Sequence, residues 1–242
     1  MTAGRSTNTC LAEIEKSDGR KTMRDKDKGR QSAAEKFAFE RSLARGLPTA
    51  GVDEVGRGPL AGPVVCAAVV MPAEEALLIE GVDDSKKLSA KRREALEKLI
   101  RERALACTVY EVSEKVIDEI NILQATRLGM REAVLALDTA VGTVLTDGNM
   151  TLDIPFPQRS VVHGDALSYS IGAASIVAKV YRDALMDRYA ELYPQYGFER
   201  NKGYGTAEHI EAIREYGLCP IHRRTFTKKL WEKGESGWRK NT

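Results

Sequence analysis

Unbroken apolar runs alternate along this chain with stretches in which apolar residues recur every three or four positions. Val64 to Met71 is apolar throughout, the pattern of a strand buried on both faces near the middle of a sheet. Ala50 to Asp53 reads as a strand before it and Cys107 to Val112 as one after it. Thr143 to Thr146 and Ser160 to His163 read as two short strands further on, separated by a loop at Ile154 to Gln158 that Pro155 and Pro157 hold open. Helical spacing fills the intervals. Ala33 to Arg45 offers Phe37, Phe39 and Leu43 for packing and is stopped by Gly46-Leu47-Pro48. A short helix is expected over Ala73 to Ile79. Ser89 caps a helix running to about Ala104, with Leu96, Leu99 and Ile100 as its buried stripe. A short helix near Glu114 to Glu119 precedes a long one capped by Asn121, with Ile122, Thr126, Met130, Ala133 and Leu137 on one face. Ser170 to Glu191 predicts another long helix, whose Ala173, Ala174 and Ala178 permit close packing on a sheet. Strands alternating with helices predict an α/β domain, and the C-terminal third adds helix and loop.

Composition narrows the picture. The 242 residues are 43% hydrophobic, enough for a real core, and the formal net charge is only +2. Any affinity for nucleic acid must therefore come from local patches. Cys10, Cys66, Cys107 and Cys219 are far apart and form no Cys-x-x-Cys pair, so reduced thiols in a cytoplasmic protein are expected. The N-terminus lacks an apolar secretory core, and no apolar run approaches membrane-spanning length. Residues 1–32 read as a disordered polar extension. Lys228, Lys229, Arg239 and Lys240 make a basic end that reads first as a solvated face.

The chemistry concentrates in Gly51-Val52-Asp53-Glu54-Val55-Gly56-Arg57-Gly58-Pro59-Leu60-Ala61-Gly62-Pro63. Carboxylates are hard ligands suited to magnesium or manganese. Gly56 and Gly58 let backbone approach a ligand closely, and Arg57 offers a planar donor fork for phosphate. An acidic pair before a glycine-rich turn is also common where nothing binds. Neighbours on a regular strand point to opposite faces, so the strand is expected to bend or end near Glu54 if both acids serve one site. Two further strand ends deliver Asp147 and Gly164-Asp165. Four carboxylates at converging strand ends suit two divalent ions acting on a phosphodiester.

The chain resembles ribonuclease HII of the bacterial type. The resemblance rests on Asp53 to Pro63, Asp84-Ser85-Lys86-Lys87-Leu88, Asp147-Gly148-Asn149, Gly164-Asp165, Ala173 to Val180, Arg182-Asp183, Lys202-Gly203-Tyr204-Gly205-Thr206 and His222-Arg223-Arg224-Thr225-Phe226, in the family's order. It covers roughly Phe39 to Phe226. It implies a ribonuclease H-like mixed β-sheet flanked by helices at 33–195, with a C-terminal helical and loop region, 196–242, completing the substrate cleft. Asp53, Glu54, Asp147 and Asp165 match the family's catalytic metal-binding acids, with Mn2+ or Mg2+ as cofactor. Gly56, Arg57 and Gly58 match the loop whose backbone reads a ribonucleotide 2′-hydroxyl, and Tyr204 the tyrosine that packs on the following deoxyribose. Lys86 would bind phosphate. Only the 2′-hydroxyl separates RNA from DNA at one nucleotide, which fits these roles.

The implied activity is metal-dependent endonucleolytic cleavage of RNA in RNA–DNA hybrids, and cleavage 5′ of single ribonucleotides in duplex DNA, leaving 3′-hydroxyl and 5′-phosphate ends. That places the protein in DNA repair and replication as a monomer whose partner is nucleic acid. A ribonuclease HIII-like enzyme is the alternative; Arg57 in place of that family's lysine and a short polar N-terminus speak against it. A non-catalytic nucleic-acid binder is the alternative of another class, opposed by four intact acids. Asp183 rivals Asp165 as fourth acid, but an i,i+4 pair with Lys179 explains it, and Asp165 is preferred because it reads as sitting at a strand end. Lys179 and Arg182 read either as phosphate contacts or as structural residues. His163, His209 and His222 read as three separate structural histidines.

Overall fold

A computed structural model of the chain describes residues 31–44 and 48–232. The expected disordered extension therefore lies outside the described residues except for Gln31 and Ser32, as do Cys10, Arg239 and Lys240. Five strands form one mixed sheet: β1 (Thr49–Val55), β2 (Val64–Val70), β3 (Ala106–Val112), β4 (Thr143–Asp147) and β5 (Gln158–Val161), in the spatial order β3-β2-β1-β4-β5. β1, β2 and β3 pair antiparallel, whereas β4 and β5 join on the other side of β1 in parallel. All seven residues of β2 are buried, as its unbroken apolar run requires.

Alternate residues of the strands feed two different cores. Val65, Ala67 and Val69 pack with Leu96 and Ile100 of α2 (Ala90–Arg103) and with Ala173, Ala174 and Ala178 of α5 (Tyr169–Leu192). Cys66, Ala68 and Val70 pack with Met130, Ala133 and Val134 of α3 (Glu114–Leu135) on the opposite face. α3 is broken at Asn121 (φ 66°, ψ 164°), whose Oδ1 accepts the amides of Leu123 and Gln124, so the capping role expected of Asn121 is realised. α5 lies directly on β1: a Cβ at Gly51 would stand 2.1 Å from the Ser170 carbonyl carbon. α1 (Ala33–Leu43), opened by a Ser32–Glu35 capping box, is tied to this junction by Glu40. The buried Glu40 carboxylate accepts the Ser170 amide (2.7 Å) and the hydroxyls of Ser168 (2.8 Å) and Ser170 (2.7 Å).

The short α4 (Gly164–Leu167) precedes α5, and α6 (Phe198–Asn201), α7 (Ala207–Tyr216) and α8 (Arg224–Glu232) follow it. The C-terminal elements share a third core, with Tyr196, Phe198, Ile213 and Ile221 packing on Met186 of α5 and Ala61 of the β1–β2 loop. The loop holding the glycines is thus part of the core that anchors the C-terminal helices.

Three local expectations need correction. Only Glu75–Leu77 of the stretch from Ala73 to Ile79 is helical, as a single 3-10 turn, because Glu74 supplies no side-chain cap. β5 starts at Gln158, inside the expected loop, and stops at Val161. Asp165 consequently sits in the first turn of α4 rather than at a strand end. Among the described residues no helix is long and apolar enough to cross a membrane.

Candidate active site

The acids are assembled by the way two neighbouring parallel strands end. β4 pairs with β1 from Thr49↔Thr143 to Val52↔Thr146 and stops at Asp147. β1 continues, paired only with β2, through Asp53↔Ala67, Glu54↔Cys66 and Val55↔Val65. β1 thus ends at Val55, one residue past Glu54, as expected if both acids serve one site. Its partner β4 ends earlier still, leaving one edge of β1 open beside Asp53 and Glu54.

Asp53 is buried, and Ser175 of α5 hydrogen-bonds its carboxyl group. Burial holds the Asp53 carboxyl well above the usual carboxylate range, and the charges of Glu54 and Asp147 push the same way. Glu54 is raised to about 7, chiefly by burial; Arg57 opposes the shift and Asp147 adds to it. Asp147 Oδ1 accepts the Gly164 amide at 2.7 Å, which docks the start of α4 onto the end of β4. Asp165 is raised by burial and then by Asp147 and Asp84, with Lys86 acting against them. Lys86 stands exposed on the 3-10 turn Ser85–Lys87. Partial burial pulls its pKa down, but the fields of Asp165, Asp84, Asp53 and Asp147 outweigh this and raise it. One lysine and four acids thus share one electrostatic environment. Among the described residues no three acids, histidines or cysteines are closed around a common point. The carboxylates are engaged by neighbours instead: Asp53 Oδ1 by the Glu54 amide (2.8 Å), Asp147 by Gly164, and Glu54 by Arg57 (3.4 Å).

The glycine loop crosses this edge. Gly56 adopts φ 90°, and a Cβ there would lie 2.2 Å from Arg182 Nε, so glycine is required twice over. The loop is threaded on two arginines, both fully buried. Arg182 donates to the carbonyls of Pro63 (3.1 Å), Ala61 (3.2 Å) and Lys202 (3.0 Å). Arg223 donates to Gly56 (2.6 Å), Arg57 (2.9 Å) and, through two nitrogens, Gly62 (2.9 and 2.7 Å). Tyr204 is 45% exposed, and a Cβ at Gly58 would stand 3.7 Å from its ring.

Behind Tyr204 lies a chain of hydrogen bonds whose tautomers are fixed by its first link. The Cys219 amide donates to His222 Nδ1 (2.9 Å), which leaves the His222 proton on Nε2. That nitrogen faces His209 Nε2 at 3.0 Å, which therefore accepts, and His209 Nδ1 donates to the Tyr204 carbonyl (2.9 Å). Burial lowers His209, and burial together with His209 lowers His222 to about 4, so both rings are neutral.

The expected site residues Asp53, Glu54, Asp147, Asp165 and Lys86 share one electrostatic environment, and Gly58 of the glycine loop lies against Tyr204. Arg182 is a buried loop anchor and is not free to touch phosphate. Asp183 has two cationic partners, Lys179 (2.6 Å) and Arg93 (3.5 Å), as a structural ion pair would. His209 and His222 are a buried pair rather than separate histidines, while His163 is exposed, in left-handed conformation, just before α4. Arg223 and the histidine pair escaped sequence reasoning. The His222-Arg223-Arg224-Thr225-Phe226 stretch was the available signal.

Comparison with known proteins identifies the family. The family model described as "Ribonuclease HII" matches residues 50–233. A ribonuclease HII from Chlorobium chlorochromatii is 56% identical over 190 residues, 76% of this chain and 91% of that protein. One from Lactobacillus delbrueckii subsp. bulgaricus is 53% identical over 193 residues, 79% of this chain and 74% of that protein. The crystal structure of ribonuclease H2 from Pyrococcus horikoshii superposes with a TM-score of 0.65 at 27% identity, covering 77% of this chain and 98% of that one.

Proposed function

The chain belongs to the ribonuclease HII family and is an endoribonuclease of the ribonuclease H type, and from that premise we propose that it cuts 5′ of ribonucleotides in RNA–DNA hybrids and in duplex DNA, with Asp53, Glu54, Asp147 and Asp165 as its catalytic acids. The observation that carries this reading is the crowding of four carboxylates and Lys86 where β4 ends beside the open edge of β1.

A cation fits this donor set. Every donor is a hard oxygen, and burial with mutual repulsion raises Asp53, Glu54 and Asp165, so the group carries more negative charge than it can hold alone. Bound there, divalent ions, Mg2+ or Mn2+, would supply an activated water and neutralise the leaving oxygen. The remaining work belongs to the chain. Lys86 meets a phosphate. The backbone of Gly56, Arg57 and Gly58 reads the 2′-hydroxyl. The exposed Tyr204 ring packs on the sugar that follows, where an extra hydroxyl would not fit. The test is a DNA duplex carrying one ribonucleotide, incubated with magnesium, manganese or EDTA, using the parent and Asp53→Asn. Metal-dependent cleavage just 5′ of the ribonucleotide by the parent, with binding but no cleavage by the variant, is the expected result. Cleavage by Asp53→Asn within about tenfold of the parent would remove Asp53 from the catalytic set.

A further inference from the structure

We propose that Arg223 is a positioning residue for ribonucleotide recognition, turning the amides of Arg57 and Gly58 toward the substrate by holding the carbonyls behind them; Arg182 extends the same clamp to the Tyr204 turn. The inference rests on the reading of Gly56-Arg57-Gly58 as the 2′-hydroxyl reader.

The argument is one of peptide geometry. In a trans peptide the carbonyl and the following N–H point in opposite directions, and the described chain has no cis bond. Arg223 binds the Gly56 and Arg57 carbonyls from the protein interior. The N–H groups of Arg57 and Gly58 belong to those same two peptide planes, so they must face the opposite way, outward past Tyr204. Among the described residues neither amide donates a hydrogen bond. Both are left free to donate to a hydroxyl oxygen.

The clamp suits a guanidinium and little else. Its planar fork bridges three carbonyls at once, those of Gly56, Arg57 and Gly62, where an ammonium is a point donor. Its own placement is fixed by the Arg223 amide on the Leu60 carbonyl (2.8 Å) and by the Phe226 ring, 5.1 Å from Cζ. Arg182 joins the far limb of the loop, at Ala61 and Pro63, to the Lys202 carbonyl, two residues before Tyr204. The two substrate readers are thereby held at a set separation. Neither guanidinium has a carboxylate within salt-bridge distance among the described residues. A buried cation hydrogen-bonded only to carbonyls is an expensive way to stabilise a fold. Burial lowers Arg182, and burial together with the Arg182 charge brings Arg223 down to about 9 against the opposing field of Asp118, in keeping with that cost.

The test compares affinities, so it does not depend on turnover. Fluorescence anisotropy in EDTA measures Kd for a duplex with one ribonucleotide and for the same duplex made wholly of DNA. The parent should prefer the first. Arg223→Lys should bring the two constants together while leaving the all-DNA value within a few-fold, and should lower kcat/KM in magnesium by about a hundredfold. Millimolar guanidinium should restore the preference to Arg223→Ala, and methylammonium should not. If Arg223→Lys fails to fold, as its urea midpoint and all-DNA affinity will report, Arg182→Lys carries the same comparison. A folded variant that keeps the parent's preference overturns the proposal. A parent that binds both duplexes alike overturns the reading of the loop, and the clamp with it.

Discussion

Lowering the pH should unlatch the support behind Tyr204 before it unfolds the sheet. His222 is held neutral by burial and by His209, at about 4 instead of 6.5. The groups around it offer a proton no compensation. His209 is itself a base, the Cys219 thiol is raised to about 11, and Tyr196 and Phe198 present ring edges and faces. A histidine whose pKa falls on folding binds its proton more readily in the unfolded chain. Stability is therefore complete above pH 6.5, declines as the pH falls, and levels off below about 4. The interval corresponds to at most about 3 kcal/mol. Urea unfolding of the parent and of His222→Gln, measured at steps from pH 8 to pH 4, isolates this contribution. Raised carboxylates such as Asp53 and Asp165 titrate in both proteins and cancel in the difference. The parent should lose stability relative to the variant by about 2–3 kcal/mol over that range. Identical pH slopes for the two proteins would refute the neutral relay and the tautomers derived from it.

Gly51→Ala should fail to fold or lose more than about 4 kcal/mol, because its methyl would overlap the backbone of Ser170; a thermal melt close to the parent's would show that α5 can move away from β1. Asp183→Asn should leave cleavage within a few-fold of the parent, whereas Asp165→Asn should lower it by more than about a hundredfold; equal losses would return Asp183 to the catalytic set. Glu40→Ala should cost about 2–4 kcal/mol by orphaning the Ser170 amide and two hydroxyls, read as a shift in urea midpoint at unchanged kcat; an unshifted midpoint would mean that water replaces the carboxylate.

Much of the fold is legible because its signals are local. The unbroken run at Val64 to Met71 could only be a doubly covered strand, and Asn121 marks a helix start by its own side chain. The last two residues of β1, Glu54 and Val55, were not legible as strand, since two charges in a row suggest an end at Asp53; the charges are tolerated because β4 stops alongside. The placement of Asp165 failed for a related reason, as a four-residue helix has no periodicity to detect. In the site, the acids could be picked by type, but their supports could not. Arg182 and Arg223 carry a charge that pattern reasoning sends to the surface, and only backbone carbonyls brought from distant positions explain their burial. The pairing of His209 with His222 depends on the turn between α7 and α8, which leaves no spacing rule in the sequence.

The parallel pairing of β4 with β1 also sets the order in which this enzyme becomes active as it folds. β1 and β2 close through one short loop, and that hairpin already carries Asp53 and Glu54. Asp147 arrives only when β4 crosses from the far end of α3 to lie beside β1, a contact distant in sequence and correspondingly slow. On the proposed site, a chain in which β4 has not yet docked presents two of the four acids, and cleavage should wait for that pairing. In refolding, nuclease activity should lag the recovery of helical dichroism.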